Sequence, residues 1–231
     1  MVTKSSASSK RLFLTRHAQA EHNVGSDYTI ADAPLTDLGR KQSKELNELT
    51  KNTFQKTAQL LVCSPLRRPM ETMLIGYPEL KSRLEGEGKP VILLDKLQEV
   101  GPYPCDTPTY PLSALKLSNN GIFSSLDFST LSEDYASKSG IYAPEQGEER
   151  AKEVRRWLRD REEDEIVVVA HGDILRYVAD NTQSTRTWDN AEVKVFTFLS
   201  DDDENASVRE VQQPAEPKDA TDEPTSAEMP K

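Results

Sequence analysis

Cysteine, histidine and long apolar runs are all scarce in this chain, and each scarcity excludes something. Two cysteines, Cys63 and Cys105, cannot build a disulfide framework, which argues for a reducing compartment, the cytoplasm first and the nucleus as the alternative. No apolar run approaches the roughly 18 residues a membrane span needs, so no membrane partner is expected. Only three histidines are present, with no H-E-x-x-H, so no metal site and no cofactor are expected. The absence of G-x-S-x-G removes support for serine hydrolysis.

Charge is lopsided. The formal net charge is −10 over 231 residues, and residues 201–231 hold ten acids against three bases, so −7 resides there and −3 in residues 1–200. The balance argues against a nucleic-acid-binding surface. Residues 201–231 read as an acidic disordered tail. Residues 1–10 are Ser-rich without an apolar h-region and read as a flexible N-terminus, not a secretory signal. Residues 11–200 are long enough for one core.

What is present is a set of short apolar runs that end in polar chemistry. Residues 12–14 read as a buried parallel strand, closed by Arg16 and His17. Residues 59–63, 90–94, 166–170 and 193–199 read as further strands. Thr36 is expected to N-cap a helix carrying Leu38, Gln42, Leu46 and Leu49 on one stripe. Gly39 and Gln42 break that stripe, which fits either a close approach to the site or a helix that starts loosely. Ser64-Pro65 is expected to open the next helix, with Ser as N-cap and Pro at the first helical position. Arg67 and Arg68 then fall in its first turn, where cations oppose the helix dipole and imply a nearby anion. Pro69 removes a backbone donor early in that helix.

Residues 100–146 contain no Arg and only Lys116 and Lys138 as cations. With their prolines and dispersed aromatics they read as an irregular cap insertion of lid character. Residues 147–163 read as a charged helix with a solvated face and i,i+4 pairs, Glu148 with Lys152 and Arg156 with Asp160 among them. Residues 166–170 end in His171 and Gly172. Strands alternating with helices indicate an α/β fold, a three-layer α/β/α sandwich around a mainly parallel sheet. The carboxyl ends of those strands would gather Arg16, His17, Arg67, Arg68, Glu99 and His171 on one edge, where ligands bind in open α/β sheets. Cations and imidazoles around a carboxyl group suit a phosphoryl group.

These residues resemble the histidine phosphatase superfamily, also called phosphoglycerate mutase-like. Arg16-His17-Ala18-Gln19-Ala20-Glu21-His22-Asn23 is similar to its R-H-G-x-x-x-x-N opening, in the R-H-A-Q-x-x-H-N form of phosphatase-type fungal and plant members. Pro34-Leu35-Thr36 with Gly39 and Gln42 resembles P-L-T-x-x-G-x-x-Q, and Ser64-Pro65-Leu66-Arg67-Arg68 with Thr72 resembles S-P-L-x-R-A-x-x-T. Leu97-Gln98-Glu99 resembles the proton-donor segment, and Val169-Ala170-His171-Gly172 the closing V-x-H-G. The segments follow the family's order over roughly residues 11–199.

The resemblance implies that His17 attacks phosphorus, that Glu99 protonates the leaving oxygen and later activates water, and that Arg16, Arg68 and His171 bind phosphoryl oxygens. It adds Asn23, Gln19, Arg67 and Gly172 as substrate-binding candidates, with Arg68 preferred over Arg67. His22 has no role in the family pattern and reads as a local hydrogen-bonding residue. Ala18 replaces the family glycine and Pro69 a small residue, and neither change removes a charge.

The expectation is a metal-independent phosphomonoester hydrolase with a phosphohistidine intermediate, acting on a small organic phosphate. A phosphoglycerate mutase-type phosphotransferase and a catalytically idle binding module are the alternatives. The missing cations of residues 100–146 disfavour a mutase and a polyanionic substrate. Oligomeric state is not legible.

Overall fold

The computed structural model describes residues 6–211. A six-stranded sheet forms its centre. Its strands are β1 (Arg11–Arg16), β2 (Leu60–Cys63), β3 (Ile92–Leu93), β4 (Glu165–Ala170), β5 (Val193–Phe198) and β6 (Val208–Glu210), in the order β3-β2-β4-β1-β5-β6. β3, β2, β4 and β1 are parallel; β5 runs antiparallel to β1, and β6 antiparallel to β5. The helices are α1 (Asp37–Thr50), α2 (Arg67–Gly76), α3 (Pro78–Gly86), α4 (Leu112–Leu117), α5 (Gly147–Asp160) and α6 (Gly172–Asp180).

Strand β4 explains the layering. Ile166, Val168 and Ala170 pack with Val154 and Leu158 of α5 and Ile174 and Val178 of α6. Val167 and Val169 point the other way, to Leu46 of α1, Met70 and Met73 of α2 and Leu80 of α3. A strand covered on both faces needs an apolar residue at every position, which is why this run lacks alternation. Each such side chain contributes about 2 kcal/mol of hydrophobic stabilisation.

Residues 100–146 carry α4 and several 3-10 turns. Leu115, Phe123, Phe128 and Tyr135 are buried and continue the core beneath α2 and α3. The aromatic residues therefore knit the insertion to the domain.

Four expectations need correction. First, the α1 stripe is wrong: Leu38 and Leu49 are exposed, and the buried face is Gly39, Ser43, Leu46 and Thr50. Thr36 does cap α1, accepting from the Gly39 N–H at 3.0 Å. A Cβ at Gly39 would lie 2.0 Å from the Gln19 carbonyl oxygen, so close approach is the reason for glycine there.

Second, α2 starts at Arg67, not Ser64. Its first N–H donates to Asp32 Oδ1 at 2.8 Å, so the cap comes from a distant loop. Pro69 falls in the first turn, where its missing N–H removes no ladder bond.

Third, the acidic tail is ordered at its start. Residues 201–211 are described, and β6 pairs with β5. The arginines of α5 hold this segment by donating to its carbonyls: Arg155 to Asn205 at 2.9 Å, Arg156 to Glu204 at 2.6 Å and Arg159 to Asp203 at 2.6 Å. Lys152 lies 4.0 Å from Glu149 instead of pairing with Glu148. Arg150 and Arg155 are buried while Glu148 and Glu149 are exposed, so the charges of α5 are solvated only in part.

Fourth, residues 6–10 are tied down. Ala7 is buried, and Lys10 Nζ donates to the carbonyls of Arg161 and Glu163 at 2.6 and 2.7 Å. Residues 1–5 and 212–231, the remainder of both terminal segments, lie outside the described residues.

Candidate active site

The sheet register brings the ends of β1, β2 and β4 together. Arg16 pairs with Ala170, and Cys63 with Val169. The His17 N–H donates to the Ala170 carbonyl at 2.9 Å, and the Ser64 N–H to the Val169 carbonyl at 3.0 Å. His17, Ser64 and His171 therefore stand side by side at one edge.

His17 is 2% exposed. Its Nδ1 lies 2.7 Å from the Ala18 carbonyl oxygen. That oxygen can only accept, so Nδ1 carries the proton and Nε2 keeps its lone pair. Arg68 Nε donates to Nε2 at 3.1 Å. Burial first, then the Arg68 and Arg16 guanidinium groups, holds His17 well below the ordinary imidazole range, so it stays neutral. The Ala18 N–H donates to Thr72 Oγ1 at 3.0 Å, which ties this turn to α2.

Arg68 is fully buried. Besides His17 it donates to the Cys105 carbonyl at 2.5 Å and to Asp106 Oδ1 at 3.3 Å. Asp106 is itself buried, and burial pushes its carboxyl up while Arg68 pulls it down. Arg16 donates to the Trp188 carbonyl. His171 is fully buried, with its ring centroid 5.2 Å from that of His17. Its Nε2 is 2.8 Å from Ser64 Oγ, while Nδ1 has no hydrogen-bond partner among the described residues. Burial and Arg68 hold this imidazole well down too.

Glu99 is held at the start of α6. Its Oε1 accepts from the Val100 and Ile174 N–H groups at 2.9 and 3.0 Å, and its Oε2 from Asp173 at 3.3 Å. The carboxylate thus caps α6, whose N-terminal dipole favours it. Lys138 Nζ donates to the Glu99 backbone carbonyl at 2.7 Å and is pushed down to about 8 by burial. This insertion lysine is drawn into the site.

The remaining candidates make scaffold contacts. Gln19 Oε1 accepts from Thr36 Oγ1 at 2.8 Å. Arg67 Nε donates to Asn119 Oδ1 at 2.7 Å, reaching the insertion. Asn23 Oδ1 accepts from the Ala20 N–H at 2.9 Å. Gly172 opens α6, and a Cβ there would sit 3.6 Å from Arg16 Nε. Among the described residues no group of three or more His, Cys, Asp or Glu side chains could hold a metal ion, and no helix is long and apolar enough to cross a membrane.

Sequence reasoning missed Asp32, Asp106 and the work of Ser64. Asp32 bridges the α2 cap to Thr109, whose N–H and hydroxyl it accepts at 2.8 and 2.7 Å. A signal existed only for Ser64, which precedes a proline and so could not be read apart from a cap.

A mainly parallel sheet whose carboxyl edge carries paired imidazoles, buried arginines and a helix-capping glutamate defines a histidine phosphatase-type enzyme. The histidine phosphatase superfamily (branch 1) model matches residues 12–202, so the chain belongs to that superfamily and is a phosphatase enzyme. It is similar to a probable phosphatase of Schizosaccharomyces pombe, 27% identical over 173 residues, covering 72% of this chain and 76% of that one. It is also similar to phosphoglycerate mutase-like protein 1 of Arabidopsis thaliana, 28% identical over 209 residues, covering 76% and 72%. The fold matches the alpha-ribazole phosphatase of Shigella flexneri, with a TM-score of 0.53 at 18% identity and coverage of 83% and 92%. It also matches a mycobacterial glucosyl-3-phosphoglycerate phosphatase, with a TM-score of 0.51 at 19% identity and coverage of 87% and 96%.

Proposed function

We propose that this enzyme hydrolyses a small organic phosphate monoester, without a metal, through a phosphohistidine on His17 Nε2. One observation carries the reading. The Nδ1 proton of His17 is committed to the Ala18 carbonyl, so Nε2 carries the ring's lone pair, which accepts from Arg68 Nε–H until that donor turns to an arriving phosphoryl oxygen.

The chemistry follows in two transfers. His17 Nε2 attacks phosphorus, and the bond to the leaving oxygen breaks. Arg68 has five N–H donors and uses three, on His17, Cys105 and Asp106. Two remain for phosphoryl oxygens. Once Nε2 bonds phosphorus it no longer accepts, and the Arg68 Nε–H is released to the phosphoryl group. Arg16 adds charge, and the unpartnered Nδ1 of His171 supplies a further donor. Glu99 Oε2 accepts one N–H and retains a lone pair that can carry the proton given to the leaving oxygen. Glu99 then takes a proton from the water that attacks phosphohistidine.

The insertion supports hydrolysis over phosphoglycerate mutase-type transfer. Lys138 is committed to the Glu99 carbonyl, and Lys116 lies over the Phe128 ring at 5.2 Å. Neither is positioned as a dedicated anchor for a second anionic group, which favours a weakly charged leaving group. Several similar proteins bear phosphatase names.

Stopped-flow release of p-nitrophenol from p-nitrophenyl phosphate tests the reading. A burst matching the enzyme concentration is expected, absent in His17→Ala. Full turnover by His17→Ala would overturn it.

A further inference from the structure

The third histidine of the chain is also at the site. His22 is 6% exposed, and its ring centroid lies 5.9 Å from that of His17. Its proton can be located from its neighbours. Asn23 Oδ1 accepts the Ala20 N–H, which fixes the amide orientation. Asn23 Nδ2 therefore donates to His22 Nε2, at 3.2 Å. Nε2 is the acceptor, so the neutral ring carries its proton on Nδ1. That Nδ1–H is buried and meets no acceptor among the described residues. A buried donor without a partner is costly, and ligand binding is one way such a cost is recovered.

The surroundings of His22 indicate what the partner is. The His22 ring is 6.4 Å from the half-buried Tyr28 ring, and Tyr28 is 5.2 Å from Tyr103, which reaches the surface at 39% exposure. The rings form a file from the buried nucleophile outward. The phosphoryl end of a substrate is enclosed by Arg16, Arg68 and His171, so the rest of the molecule has to extend toward solvent. The ring file is a wall it can follow, and it carries no charge: burial, reinforced by Arg68 and Arg16, pushes His22 down to about 2.

We propose that His22 is a substrate-binding residue whose Nδ1–H donates to an oxygen or nitrogen of the leaving group, and that with Tyr28 and Tyr103 it selects a flat, uncharged leaving group. This rests on the phosphatase reading and names the substrate class of the same site.

The test compares His22→Phe and His22→Asn with the wild type on p-nitrophenyl phosphate, with inorganic phosphate as competitive inhibitor. Phe keeps the ring and removes the donor; the Asn amide can restore a donor near Nδ1. The expected result for Phe is a KM raised about tenfold, the loss of one such hydrogen bond, with the phosphate Ki within twofold of wild type. Asn is expected to recover most of the KM. A KM unmoved in Phe overturns the proposal, as does a phosphate Ki that rises in step with KM. A direct measurement accompanies the variants: the His22 Nδ1–H proton resonance of His17→Ala, which cannot turn the ester over, is followed during titration with p-nitrophenyl phosphate or inorganic phosphate. A shift with the ester alone is expected, and no shift with the ester overturns the proposal even if Phe fails to fold. Failure of the phosphatase reading would instead appear as no turnover by wild type, and the proton titration with the ester decides the role of His22 in that case as well.

Discussion

Arg68 Nε sits 3.1 Å from Nε2 of His17, and the same guanidinium holds the Cys105 carbonyl and Asp106. One buried cation thus joins the nucleophile, the phosphoryl pocket and the insertion.

Arg68→Lys should therefore fail although charge is kept. An ammonium cannot span three divergent acceptors from this position. The expected loss in kcat/KM on p-nitrophenyl phosphate is on the order of a hundredfold or more. Near-normal turnover would remove Arg68 from the phosphoryl pocket.

Asp106 is the only carboxylate with a direct ion pair to Arg68 among the described residues. Asp106→Ala leaves a buried guanidinium with one neutral acceptor from the insertion. Breaking such a pair costs about 3 kcal/mol, read as a fall in the urea midpoint. Gly101→Ala reaches the same pair by another route, because a Cβ there would lie 2.1 Å from Asp106 Oδ2. Both variants unfolding at the wild-type midpoint would contradict this.

Acid should destabilise the fold through its imidazoles. His17, His22 and His171 are all held below the ordinary value of 6.5, with burial as the main cause. In the unfolded chain they take up protons near 6.5 while the native rings stay neutral. The unfolded state binds more protons, so their contribution is present above 6.5 and is lost as pH falls below it. Linkage gives about 1.4 kcal/mol per pH unit for each ring. Asp32 and Asp106, raised by burial, act with the opposite sign at lower pH. Urea midpoints at pH 7.5, 6.5 and 5.5 should fall slightly over the first interval, where the unfolded rings begin to protonate, and about three times as much over the second. The fall should shrink in His22→Phe; an equal fall would take His22 out of the account.

Glu99→Gln separates leaving-group protonation from the rest. An alkoxide needs a proton on departure and p-nitrophenolate does not. Loss on an alkyl phosphate should exceed loss on p-nitrophenyl phosphate by at least about tenfold. Equal losses would remove Glu99 from the acid role and leave it as the cap of α6.

Much of the scaffold was legible because it follows local rules. Residues 12–14 and 166–170 are apolar throughout, since both faces of those strands are covered. The Thr36 cap was legible because a hydroxyl ahead of a helix has one common use. Ser64 obeyed the same rule on paper, yet its hydroxyl serves His171 and Asp32 caps α2 from the far side of the pocket. β6 has three residues, two of them charged, and no local pattern; arginines of α5, some fifty residues earlier, hold the chain that leads to it. His22 meets His17, and Asp106 meets Arg68, only through tertiary packing, so no local pattern marks either as part of the site.

Enzyme labelled during turnover with a 32P-phosphate ester, quenched in alkaline detergent and digested at alkaline pH, offers the most direct measurement. The expected result is acid-labile, base-stable label on the peptide containing His17, and none in His17→Ala. Label on another residue, or wild-type turnover with no phosphoenzyme under conditions where dephosphorylation limits the rate, would contradict the central claim.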